Sequence, residues 1–105
     1  LVRYMEEHFE WMTVTGYSLD TVRARRQHIR KFITWIDERG IDDVRQITRP
    51  MVERYQRHLF YYRKTDGQPL SMGMQVQYLA SIKLWFKWLS RAHHILVWCP
   101  TVLVS

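Results

Sequence analysis

The chain of 105 residues is poor in residues that cross-link or break structure, with one cysteine, three prolines and four glycines. Because Cys99 has no second cysteine to pair with, an internal disulfide is excluded and a reducing, cytoplasmic setting is expected. No apolar run approaches the roughly 18 residues of a membrane span, and no secretory signal pattern opens the chain. We therefore expect a cytoplasmic protein without a membrane partner, and the missing initiator Met indicates a piece of a longer protein.

The sequence also lacks the motifs of an enzyme. It has no nucleophile in a recognisable relation to a base, no paired carboxylates and no phosphate-binding loop. His93 and His94 stand near Cys99, but adjacent histidines point apart on a helix and no fourth ligand is placed, so no metal is expected. We expect this chain to have no catalytic activity, no cofactor and no small-molecule substrate.

The residues that are present predict one packed helical domain. Apolar residues make up 47% of the chain and aromatic residues 14%, which excludes a disordered protein. Helical spacing of apolar residues, with caps and stops, predicts four helices: about Val2 to Val14, from after Ser18 to before Gly40, from after Thr48 to about Tyr62, and from after Ser71 to about Arg91. We expect a helical domain over residues 1–95 and a tail or linker over residues 96–105.

The charge of the chain is concentrated on particular elements. The chain has sixteen basic and ten acidic residues, which gives a net charge of +6. Residues 18–34 and 49–64 each carry five basic residues and one acid, and residues 71–91 carry three basic residues and no acid. Residues 1–15 and 35–48 are each net acidic. A polarised positive field of this kind indicates a polyanionic partner.

The second helix has two distinct faces when its residues are placed at ~100° steps. Its apolar arc contains Val22, Ile29, Phe32, Ile33 and Ile36. A separate polar arc contains Arg23, Arg26, Gln27 and Arg30. Arg25 projects into the apolar arc, so we expect it to pair with an acid or to bury its stem under a charged tip.

The fourth helix repeats this two-faced pattern. One side contains Met72, Leu79, Ile82, Trp85, Phe86 and Leu89, and the other contains Gln77, Ala80, Ser81, Lys83, Lys87 and Arg91. Trp88 projects from the side opposite the apolar one and indicates a contact with another protein segment. Clustered Arg and Lys on rigid helices suit duplex DNA, because each phosphate that they neutralise releases condensed counterions. From charge alone, ordinary solvated helix faces remain an equal alternative.

Three segments together resemble the N-terminal core-binding domain of tyrosine recombinases of the phage integrase and Xer type. They are GYSLDTVRARRQHIRKFITWI, the segment containing MVERYQRHL, and QPLSMGMQVQYLASIKLWFKWL. The resemblance implies an all-α, SAM-like orthogonal bundle of four to five helices. It also implies a DNA-binding domain that clamps duplex DNA at a recombination half-site, with other recombinase protomers as partners on the DNA.

The resemblance gives the second and fourth helices the DNA-contacting role. The candidate DNA-binding residues are Arg23, Arg26, Gln27, Arg30, Gln77, Ser81, Lys83 and Lys87. Strand cleavage in such a recombinase belongs to a separate C-terminal domain with a catalytic tyrosine, which has no counterpart in this chain. The alternative interpretation is a helical protein-interaction domain of the SAM or death-domain kind, with basic faces that meet acidic partners. A stand-alone helix-turn-helix regulator is disfavoured by the longer connections before the third and fourth helices.

Overall fold

Residues 2–92 form four α-helices in a computed structural model that describes this part of the chain. A short 3-10 turn, Val44–Gln46, precedes the third helix, and an isolated antiparallel bridge between Arg63 and Pro69 closes the loop before the fourth. The all-α fold predicted from the sequence is confirmed. The helices are α1 (Val2–Val14), α2 (Leu19–Asp37), α3 (Arg49–Tyr61) and α4 (Met72–Ala92).

The ends of α1 and α2 are fixed by local hydrogen bonds. Gly16 has φ 98°, and the Tyr17 N–H donates to the Met12 carbonyl over 3.0 Å. Gly40 has φ 79° and closes α2 in the same way, because the Ile41 N–H donates to the Ile36 carbonyl. Both are helix-ending motifs that require the left-handed conformation glycine adopts at little cost.

The starts of α2 and α4 are held by serine side chains. The Thr21 N–H donates to Ser18 Oγ over 3.2 Å, and the Met74 N–H donates to Ser71 Oγ over 3.1 Å. Thr48 occupies the predicted cap position of α3, but its side chain forms no cap hydrogen bond. Pro50 in the first turn of α3 sacrifices no hydrogen bond, since the first N–H groups of a helix have no partner inside it.

The core is built around aromatic side chains from α2, α3 and α4. The ring centroid of Phe32 lies 4.9 Å from that of Tyr55 and 6.0 Å from that of Phe86, and Trp35 lies 5.2 Å from Tyr55. The two Phe32 pairs are edge-to-face, and such pairs add about 0.5–1.5 kcal/mol each beyond the burial of their area. This cluster fixes how α2 and α4 lie relative to each other and so determines the outer surface that they share.

Candidate nucleic-acid interface

The outer side of α2 carries a row of exposed polar residues. Arg23, Gln27 and Arg30, which we call the α2 stripe, are all exposed and lie on one side of the helix, away from the buried Ile29 and Ile36. Within residues 2–92, neither Arg23 nor Arg30 forms an ion pair. The α2 stripe therefore presents two uncompensated guanidinium groups and an amide on a rigid helix.

Arg26 belongs to the same predicted set but lies against α1. Its Nη1 is 2.7 Å from Glu6 Oε1, and its guanidinium carbon lies 4.7 Å from the ring centroid of Phe9. Glu6 is half-exposed, so the pair is screened by solvent and stabilises the domain only modestly. Arg26 thus ties α2 to the acidic helix α1 and is not presented with the α2 stripe.

Ser81 and His28 join α2 to α4. Ser81 Oγ lies 2.7 Å from His28 Nδ1, and both residues are buried. The Tyr78 ring packs edge-on against the imidazole, with centroids 4.3 Å apart. Burial lowers the pKa of His28, and the positive charge of Arg25 lowers it further. The sequence placed Ser81 on the polar outer side of α4. In the structure it is buried and links α4 to α2.

A groove runs between α2 and α4 beside this link. Its volume is about 360 Å³. Small residues, Ala24 and Ala80, line it, together with the partly buried Arg25 and the exposed Gln77. We call this feature the α2–α4 groove, and its lining consists of Thr21, Ala24, Arg25, His28, Gln77, Ala80, Ser81 and Leu84. Small side chains allow another molecule to approach the backbones of both helices closely.

Arg25 lies between α1 and α2, with its guanidinium against Met12 and Tyr17. Its Nη1 donates to Met12 Sδ over 3.5 Å, and its guanidinium carbon lies 5.6 Å from the Tyr17 ring centroid. Burial lowers the pKa of Arg25, while the nearby Tyr17 raises it. Among residues 2–92 Arg25 forms no ion pair, and its Nε is buried without a hydrogen-bond partner, so burial extends beyond the stem into the guanidinium.

The two lysines predicted on α4 lie away from the groove. Lys83 is half-buried and Lys87 is exposed. Around the helix, Lys87 stands about 20° and Lys83 about 60° from Ala80, which lines the groove. The structure thus brings Gln77 into the groove lining, whereas Lys87 shares the outer side of α4 with Ala80 about two turns further along the helix and Lys83 lies at the margin of that side.

Trp88 and His28 show where sequence reasoning fell short. Trp88 is half-buried, and its ring centroid lies 5.1 Å from that of His8, so α1 of the same chain covers it. The expected partner segment is therefore internal. His28 was not singled out from the sequence; its position one helical turn from Ala24, beside the apolar arc, is the signal that could have placed it at a helix contact.

Residues 4–94 match the family of phage integrase N-terminal SAM-like domains. This chain belongs to that family. The integrase-type domain is 62% identical over 96 residues to tyrosine recombinase XerC 2 of Ralstonia nicotianae. That match covers 91% of the domain but 28% of the recombinase. No solved structure matches the integrase-type domain. The resemblance to Xer-type tyrosine recombinases stated from the sequence is confirmed.

Two further observations concern metals and membranes. Within residues 2–92, no group of three or more His, Cys, Asp or Glu side chains is arranged to hold a metal ion. In the same described part of the chain, no helix has the length and hydrophobicity needed to span a membrane. His93, His94, Cys99 and the tail 96–105 lie outside the described residues.

Proposed function

We propose that this domain binds duplex DNA at a recombination half-site as the core-binding part of a site-specific tyrosine recombinase. Strand cleavage and rejoining would belong to a separate domain of the parent protein, with further recombinase protomers as partners on the DNA. The observation that carries the proposal is the α2 stripe beside the α2–α4 groove, on a chain of the integrase family. Its two arginines have no acidic partner among residues 2–92.

The proposal assigns different roles to the candidate residues. Arg23 and Arg30 bind phosphates or guanine edges, because the planar guanidinium donates parallel hydrogen bonds. Gln77 lines the α2–α4 groove and Gln27 lies in the α2 stripe, and each offers an amide to base edges. Lys83 and Lys87 reach flanking phosphates from further along α4, while Arg26 and Ser81 hold the helices that carry the contacts.

The salt dependence of binding tests this proposal. A labelled duplex of about 30 base pairs is titrated at several salt concentrations with the wild-type domain and with Arg23→Ala/Arg30→Ala. Each phosphate contact contributes about 0.9 to the slope of log K against log salt, so the double variant is expected to bind more weakly and to lose about 1.8 of that slope.

The matched control is Arg3→Ala/Arg45→Ala, which removes the same charge from two arginines that already pair with Glu7 and Asp43. The control is expected to keep most of the wild-type slope. If both double variants lost the same amount of slope, the loss would reflect net charge alone, and the assignment of the DNA contact to the α2 stripe would be contradicted. Absence of duplex binding by the wild type, with concentration-dependent self-association, would instead support a protein-interaction domain.

A further inference from the structure

The outer face of α3 carries an exposed aromatic pair that the core does not use. Phe60 is 54% exposed and Tyr61 70%, and their ring centroids lie 5.1 Å apart at an interplanar angle of 86°. The core side of this helix is formed by Val52, Tyr55 and Leu59. Two neighbouring large rings on the solvent side form an apolar surface without a partner in the described part of the chain.

One of these rings borders a groove between α3 and the start of α4. The groove has a volume of about 470 Å³, with Phe60 and Arg57 on the α3 side and Met72 on the α4 side. Met72 is 66% exposed, so both apolar walls are open to solvent. Glu53 also lines the groove, and its Oε1 lies 3.0 Å from Arg49 Nε, which balances its charge. The groove therefore offers apolar walls without an unbalanced acid.

Cations surround the rings. Arg54, Arg57 and Lys64 are exposed and form no ion pair among residues 2–92. Arg63 Nη1 donates to the carbonyls of Phe60 and Tyr62 over 3.4 and 3.1 Å, which holds another positive charge at the end of α3. Cations interleaved with exposed rings match a polyanion that also carries accessible planar groups.

We propose that this surface, the α3 face, binds single-stranded DNA. Phe60 stacks on an unpaired base in the groove beside Met72, Tyr61 stacks on a neighbouring base, and Arg54, Arg57 and Lys64 bind the phosphates. Duplex DNA does not fit this surface as well, because its base faces are hidden inside the stack and leave the rings without a partner. The α3 face is formed by other residues than the α2 stripe, so the inference does not depend on the proposed duplex contact.

Binding of a labelled oligothymidylate of about 12 nucleotides tests this inference by fluorescence anisotropy at low salt. The variant Phe60→Leu/Tyr61→Leu is expected to bind at least about five-fold more weakly, because stacking on an aromatic ring is lost. Tyr61→Phe keeps its ring and is expected to bind like the wild type. Arg54→Ala/Arg57→Ala is expected to lower the salt slope by about 1.4, which is the single-strand value for two phosphates.

Tyr17→Leu is the matched control, since Tyr17 is also an exposed aromatic residue but lies between α1 and α2. Circular dichroism verifies that each variant is folded. The inference is overturned if Phe60→Leu/Tyr61→Leu binds the oligothymidylate like the wild type, or if Tyr17→Leu weakens binding equally. It is also overturned if Arg23→Ala/Arg30→Ala alone abolishes binding, or if polyglutamate displaces the oligonucleotide as effectively as unlabelled oligothymidylate does.

Discussion

At the scale of single residues, the buried His8 is the group from which we expect a pH-dependent stability. His8 is 1% exposed, and neither ring nitrogen has a hydrogen-bond partner within residues 2–92. The imidazole lies among the rings of Phe9, Trp11 and Trp88, and Arg25 is the charge that acts on it. Burial, followed by the repulsion from Arg25, lowers the pKa of His8 to about 4.

The low pKa of His8 predicts that the domain loses stability in acid. Because an unfolded histidine has a pKa near 6.5, the unfolded chain binds more protons than the folded chain between about pH 6.5 and pH 4. Above about pH 6.5 His8 is neutral in both states and does not lower the free energy of unfolding. As the pH drops through this range the free energy of unfolding falls, by about 2 kcal/mol at pH 5.

Urea unfolding of the wild type and of His8→Phe at pH 7.5 and pH 5 measures this contribution. The variant removes the titration, while His28 and His58, whose pKa values burial also lowers, stay in both proteins. The free energy of unfolding is expected to fall more steeply for the wild type than for His8→Phe. Parallel losses in the two proteins would show that His8 is not the group responsible.

At the scale of the helices, the sequence predicted where each element begins and ends but not how the elements face one another. Ser18, Gly40 and Ser71 bracket α2 and α4 as expected, since a cap or a left-handed glycine acts within one turn of chain. The Arg26–Glu6 pair and the His28–Ser81 bond span 20 and 53 residues. The period of one helix shows which face is polar, whereas these contacts depend on which neighbour packs beside that face.

The left-handed conformation of Gly40 predicts a difference between two glycine substitutions. Gly40→Ala is expected to destabilise the domain by about 1 kcal/mol, because an L-residue resists a positive φ even though open space surrounds the site. Gly73→Ala, in the first turn of α4, is expected to stabilise it by about 0.5 kcal/mol, since alanine loses less backbone entropy in a helix. Its added Cβ would meet only Ser71 Oγ, at 3.9 Å.

Thermal unfolding of the two glycine variants beside the wild type checks this pair. The melting temperature is expected to fall for Gly40→Ala and to rise for Gly73→Ala. A melting temperature of Gly40→Ala at or above that of the wild type would contradict the role of Gly40 in ending α2.

At the scale of the whole molecule, the surface is divided into regions of different charge. Glu7 and Glu6 of α1 pair with Arg3 and Arg26, which neutralises part of the acidic charge of this helix. The arginines of the α2 stripe and of the α3 face have no such partners among residues 2–92. The sequence predicted the basic helices from their composition, but only the packing separated the exposed Arg23 and Arg30 from the paired Arg26.

We expect duplex DNA to bind across the outer side of α2 and α4, and a backbone amide NMR titration with a duplex of about 30 base pairs locates the binding residue by residue. The amide signals of residues 23–30 and 77–87 are expected to shift in proportion to bound duplex. The signals of residues 3–10 on the acidic helix α1 are expected to stay in place. Shifts confined to α1 or α3, or no shifts at all on saturation with duplex, would show that duplex DNA does not bind across α2 and α4.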